Sequence, residues 1–135
     1  MAIKSETKAQ QYLRDKYGEN AYIKKIPDFK QTGMLLGGIP DYMVIHNSIT
    51  RWFEVKFIPT RRKSLSINDF TEQQLIEFTK MLKAGAEIHL IIFFNKIMIN
   101  TEWKYVYDYF QTKNKSISKD VFTRGDIYGN GDIRL

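Results

Sequence analysis

The chain has 135 residues, a mass of 16.0 kDa and a hydrophobic fraction of 43%, enough for one ordinary domain with a core. It holds no cysteine, which excludes a disulfide scaffold, a cysteine nucleophile and a thiolate zinc site, and its longest apolar run, residues 90–94, is far too short to cross a bilayer. The net charge is +6, and the surplus lies in residues 1–63, with 12 Lys/Arg against 6 Asp/Glu, while residues 64–135 hold 9 of each.

A basic half favours a polyanionic partner, nucleic acid first and an anionic membrane surface second. The N-terminal residues lack the apolar stretch of a secretory signal, so a soluble cytoplasmic protein is expected.

Apolar spacing predicts a first helix over residues 3–17, ended by Gly18, and a strand over 21–26, closed by Pro27. A polar loop over 28–38 leads to strands over 42–45 and 50–57, joined as a hairpin by the turn His46-Asn47-Ser48. Residues 58–69 read as a loop carrying Arg61-Arg62-Lys63, followed by a helix over 71–84 that stops at Gly85. The nearly continuous apolar run over 88–94 fits a strand covered on both faces. A short strand over 97–99 and a helix over 102–110 follow. The expected domain spans 1–113, with 114–135 as a polar tail of unassigned structure. The order αβββαβ implies an α/β domain with a mixed central sheet flanked by helices.

Period-2 alternation in the strand Trp52-Phe53-Glu54-Val55-Lys56-Phe57 places Phe53, Val55 and Phe57 on one face and Trp52, Glu54 and Lys56 on the other. Alone, Glu54 and Lys56 favour a surface ion pair on a half-exposed strand. Asp41, thirteen residues before Glu54, ends Gly38-Ile39-Pro40-Asp41 and opens the preceding strand. A hairpin closing at residues 46–48 brings Asp41 beside Glu54 and Lys56, so that two carboxylates and an amine converge. Such a group suits a hard cation that keeps waters and phosphate oxygens. In the first helix Glu6 falls within the apolar stripe of Ala2, Ile3, Ala9, Leu13 and Tyr17, where it needs either a partner or solvent at a frayed end. Gln74 lies within the apolar face of Thr71, Leu75, Phe78, Met81 and Leu82; its amide is aimed at the acidic group or satisfied at the edge of the stripe.

Gly38-Ile39-Pro40-Asp41, Phe53-Glu54-Val55-Lys56 and Thr71-Glu72-Gln73-Gln74 together resemble the PD-(D/E)XK nuclease superfamily. The likeness covers residues 3–94 and is greatest to small stand-alone VRR-NUC nucleases, with archaeal-type Holliday junction resolvases nearby. It implies a restriction-endonuclease-like core. It also implies a magnesium site, open to manganese, with Asp41 and Glu54 as carboxylate ligands, the backbone carbonyl of Val55 as a third, and Glu6 reaching in from the first helix. By the same resemblance Lys56 assists the attacking water and Gln74 orients the site.

The implied activity is hydrolysis of DNA phosphodiester bonds, in Holliday junctions or other branched DNA, by a homodimer whose two sites make paired cuts. Two readings stand beside it: a restriction-like or homing-type nuclease reading a duplex sequence, and a non-catalytic nucleic-acid-binding module. Arg61, Arg62 and Lys63 are expected to neutralise DNA phosphates, with Lys24, Lys25 and Lys30 extending that surface. His46 and His89 are lone. No phosphate-binding Gly-x-x-x-x-Gly-Lys-Ser/Thr loop occurs, so no nucleotide cofactor is expected. The aromatic run Trp103, Tyr105, Tyr107, Tyr109 and Phe110 serves either the core or a dimer surface.

Overall fold

The computed structural model describes residues 2–27, 37–127 and 133–134, with side chains from Thr7 onward. Helix α1 (Ala2–Tyr17) precedes strands β1 (Tyr22–Lys25), β2 (Tyr42–His46) and β3 (Ile49–Phe57). Strand β4 (Ser64–Ser66) and a 3-10 turn (Ile67–Asp69) lead into α2 (Glu72–Lys83). There follow β5 (Glu87–Phe94), β6 (Ile97–Glu102), α3 (Trp103–Thr112), β7 (Ser116–Ser118), α4 (Lys119–Thr123) and β8 (Ile133–Arg134).

Six strands form one sheet in the order β1-β2-β3-β5-β6-β8. Among the described strand pairs only the central β3–β5 pair is parallel, because α2 carries the chain across between those two strands. The mixed sheet flanked by helices agrees with the expected α/β class. Asn47 and Ser48 both have positive φ (51° and 64°), the two-residue turn that matches strand twist, and this sets the β2–β3 register Tyr42↔Phe53.

Each face of the sheet has its own core. Ala9, Tyr12 and Leu13 of α1 pack on Tyr42, Val44, Phe53, Ile91 and Met98. On the other face, Phe78, Trp103, Val106, Phe110 and Phe122 pack on Ile88, Leu90, Ile92, Phe94 and Ile99. Strand β5 thus feeds alternate residues to both cores, as its continuous apolar sequence requires. Trp103 and Phe110 are buried in the second core and Tyr105, Tyr107 and Tyr109 pack against it, so the aromatic run is used for packing.

Two segments depart from expectation. The loop over 58–69 contains β4 and the 3-10 turn, and the presumed tail contains β7 and α4. Ser64-Leu65-Ser66 pairs with Ser116-Ile117-Ser118 so that Leu65 and Ile117, both fully buried, face each other. Val121, Phe122 and Ile127 join the same core, so residues 114–127 are part of one packed unit rather than a separate polar tail. A single apolar residue between two serines has no period to read; only the partner strand makes it a core position.

Candidate active site

Pro40 is buried and Asp41 enters β2, with its backbone carbonyl accepting from the Ile26 amide at 2.7 Å. One step beyond the Tyr42↔Phe53 pair, the antiparallel register sets Asp41 across from Glu54. There the regular ladder stops: the Val55 amide donates to Asp41 Oδ2 at 2.9 Å instead of to a backbone carbonyl. A strand residue's N–H and C=O leave the same edge, so the Val55 carbonyl opens toward Asp41 as well.

Glu54 is 3% exposed. Its Oε2 accepts from Gln74 Nε2 at 2.7 Å and pairs with Lys56 Nζ at 3.2 Å, whereas no donor reaches Oε1. Lys56 Nζ also donates to Gln74 Oε1 at 3.1 Å and stands 4.5 Å from the centre of the Phe70 ring. Gln74 is held in turn by its own helix. Its backbone N–H donates to Thr71 Oγ1, and its Oε1 accepts from the Thr71 amide, closing a reciprocal cap at the start of α2. One side chain therefore caps a helix and ties the Glu54–Lys56 pair to it. The approach is tight: at Gly38 (φ +91°) a Cβ would lie 2.6 Å from the Gln73 carbonyl oxygen, so only glycine fits.

Burial, and then the charge of Asp41, push the Glu54 carboxyl up to about 7, against the opposing pull of Lys56 and Gln74. Burial likewise raises Asp41, opposed by the Val55 N–H, Lys56, a hydrogen bond with the Glu54 carboxyl, and Lys25. Two acids that resist ionising side by side, one with an oxygen lacking any donor, form a pair that a cation would relieve. Beside them is a cavity of about 230 Å³ lined by Lys25, Asp41, Tyr42, Glu54, Val55 and Phe57. Among the described residues no group of three or more His, Cys, Asp or Glu gathers for a metal. Two carboxylates and a carbonyl nonetheless fit magnesium, which keeps several waters and rarely takes a full protein cage.

The structure thus brings together Asp41, Glu54, Val55, Lys56 and Gln74, and it adds Lys25 to their cavity. The Glu6 side chain and Lys30 lie outside the described residues. Lys24, next to Lys25 on β1, points to the opposite face by strand alternation and does not line the cavity. Arg62 differs from expectation. Its guanidinium grips Asp69 with both nitrogens, at 2.8 and 2.7 Å, and donates to the Ser64 carbonyl, so it braces the 3-10 turn instead of awaiting a phosphate. Arg61 is exposed and Lys63 lines a different cavity. Phe70 was missed. It falls between the expected loop over 58–69 and the helix over 71–84, and no local pattern marks an aromatic ring that will meet an ammonium fourteen residues back in the chain.

No protein-family model matches the chain, and no curated protein matches it in sequence. Among solved structures it is similar to Hjc, a Holliday junction resolvase from the archaeal hyperthermophile Archaeoglobus fulgidus. The TM-score is 0.59 over 90% of this chain and 92% of that one, at 15% identity. The fold is restriction-endonuclease-like. In this chain Asp41, Glu54 and Lys56 stand where the β2–β3 ladder ends.

Proposed function

We propose that the chain is a metal-dependent, structure-selective DNA endonuclease that hydrolyses phosphodiester bonds in Holliday junctions or related branched DNA. The observation that carries this reading is the buried Glu54 carboxylate beside Asp41, one oxygen fixed by Gln74 and Lys56 and the other without a donor. Its setting in a fold like that of a resolvase supports DNA as the substrate.

Asp41, Glu54 and the Val55 carbonyl would hold magnesium, with manganese able to substitute. When bound, the ion supplies Lewis-acid stabilisation of phosphate charge and a more acidic water. The chain's own groups do the rest. Gln74 holds the Glu54 carboxylate in one orientation. Lys56, kept in place by Gln74 and the Phe70 ring, sets a positive charge beside that carboxylate, where negative charge grows on a phosphate under attack. Lys25 adds a second positive group at the rim of the cavity. A symmetric junction needs two incisions and the described residues hold one such site, so the working form is a two-fold homodimer.

The test is cleavage of labelled four-way junction, flap, nicked and linear duplex DNA, with magnesium and with EDTA, by the wild type, Asp41→Ala and Glu54→Ala. Metal-dependent cutting of branched DNA, lost in both variants, is expected. Cutting confined to one linear sequence replaces this reading with a sequence-specific nuclease, and binding with no cutting in any metal leaves a binding module. Light scattering with and without junction checks the dimer.

A further inference from the structure

Beyond the end of β3 the chain builds a second charged cavity, separate from the acidic one. It has a volume of about 150 Å³ and is lined by Thr60, Arg62, Lys63, Asn95, Lys96 and Lys119, with Phe94 and Ile97 as its apolar part. These residues come from three segments: the loop after β3, the β5–β6 turn and the start of α4. Backbone bonds hold the segments together. The Ile58 amide donates to the Phe93 carbonyl at 2.9 Å, extending the β3–β5 ladder toward Thr60 and Asn95. The Lys119 amide donates to the Lys63 carbonyl at 2.8 Å, so two of the three lysines are fastened backbone to backbone.

Most other cations near an acid are matched. Arg51 pairs with Glu87, Arg62 with Asp69, Lys56 with Glu54, Lys104 with Glu102 and Arg124 with Asp126. Among the described residues, no carboxylate comes within ion-pair distance of Lys63, Lys96 or Lys119. Three like charges gathered without a counter-charge repel one another and favour an anion among them. Arg62, already neutralised by Asp69, contributes shape more than charge. Thr60 and Asn95 supply neutral polar groups of the kind that accompany phosphate contacts.

The position indicates whose anion it is. Glu54 and Thr60 lie six residues apart on one largely extended stretch, so the cavity is at most about 20 Å from the acids at 3.3 Å per residue. That is roughly half a turn of duplex, given a helical repeat of about 34–36 Å. We propose that this cavity is a phosphate subsite for the arm of the DNA substrate, taking one backbone phosphate within about half a helical turn of the bond cut at Asp41 and Glu54. The subsite rests on the nuclease reading and gives the enzyme a two-point grip, one point holding the reacting phosphate and the other setting the direction of the arm.

Binding in EDTA separates this subsite from catalysis. Fluorescence anisotropy of a labelled four-way junction is recorded between about 50 and 200 mM salt for the wild type, each single Lys→Ala variant at 63, 96 and 119, the triple variant, and Lys83→Ala as a control at the other end of the sheet. Cleavage of the same junction in magnesium is followed in parallel, and thermal melting checks that each variant is folded. Three amines sharing one phosphate lose about one unit of the log K against log salt slope in the triple variant, and the single losses do not add up to more. Affinity at 100 mM salt is expected to fall about tenfold in the triple variant and not at all in Lys83→Ala.

A slope loss near three units overturns the subsite in favour of independent surface lysines, and an unchanged slope overturns it outright. Inorganic phosphate that binds the wild type but not the triple variant, with DNA affinity unchanged, assigns the cavity to a free anion and also overturns it. Wild-type cleavage with unaltered variant binding sinks the subsite alone. Binding with the expected slope loss but no cleavage in any metal sinks the nuclease reading alone, and absence of DNA binding sinks both.

Discussion

The two ends of β3 carry nearly the same chemistry to opposite effect. Near its start Arg51 pairs with Glu87 on β5 at 2.7 Å, and His89 meets the same carboxylate oxygen at 2.6 Å. Near its end Lys56 pairs with Glu54, which faces Asp41. Burial pulls Glu87 upward, yet His89 and Arg51 bring it below its ordinary value, while burial and Asp41 lift Glu54 to about 7. The first cluster is complete as it stands. The second has one acid too many and an oxygen without a donor, an imbalance that the proposed cation would relieve.

Substitution tests that contrast most strongly. Asp41→Ala and Glu54→Ala are each expected to cut the metal-dependent cleavage rate by at least about 10²–10³-fold, the scale of losing a principal electrostatic stabiliser of the transition state. Glu87→Ala should leave the rate within a few-fold and cost no more than about 1 kcal/mol in stability, because its pair is partly solvated. Equal losses at both ends, in single-turnover assays on a junction, would erase the distinction.

Acid–base linkage gives the next largest effect. A carboxyl whose folded pKa lies above its unfolded value stabilises the fold below the unfolded value and loses that stabilisation as pH rises through the folded one. In EDTA, stability should therefore decline between about pH 4.5 and 7, by at most about 3 kcal/mol for Glu54. Asp41 shifts in the same direction. Glu87 and Asp69, shifted downward, act oppositely and lose their contribution only as pH falls below their ordinary range. Thermal melts across this window should slope downward for the wild type, flatten in Glu54→Gln, keep their slope in Glu87→Gln, and flatten when magnesium is added.

Gln74→Ala removes both a helix cap and the clamp on Glu54 and Lys56. A stability loss of about 1 kcal/mol is expected from the cap. A rate loss of about 10–100-fold is expected from the misplaced carboxylate. Gln74→Glu retains the cap oxygen but adds a third acid, so its recovery of stability without activity would separate the two roles. The smallest effect belongs to Arg62→Ala: about 1 kcal/mol or less of stability from its partly exposed pair with Asp69, and no change in the salt dependence of DNA binding. A change in that dependence would restore Arg62 as a phosphate contact.

Much of the site was legible because its signals are local. Alternation along β3 separated Glu54 and Lys56 from Phe53 and Val55, and the turn at Asn47-Ser48 fixed which residue of β2 would oppose Glu54. Gln74 stood out as an amide on an apolar face, and its contacts answer the alternatives left open: it caps α2 and reaches the acids together. The pairing of Arg62 was not legible, because a run of three basic residues does not reveal that Asp69, seven positions on, will claim the middle one. Tyr12 was left out of the α1 stripe, yet it is buried and its hydroxyl accepts from Asn100, eighty-eight residues away.

Composition, strand alternation and helix punctuation were by themselves enough to determine an α/β domain with two acids and an amine gathered on neighbouring strands, since these properties depend on residues a few positions apart. Only the folded chain decided that residues 114–127 complete a core, that Phe70 meets Lys56, and that three lysines from separate segments enclose one cavity. The reason is that burial and charge pairing are set by whichever groups the fold brings into contact, and contacts across long stretches of chain leave no period in the sequence.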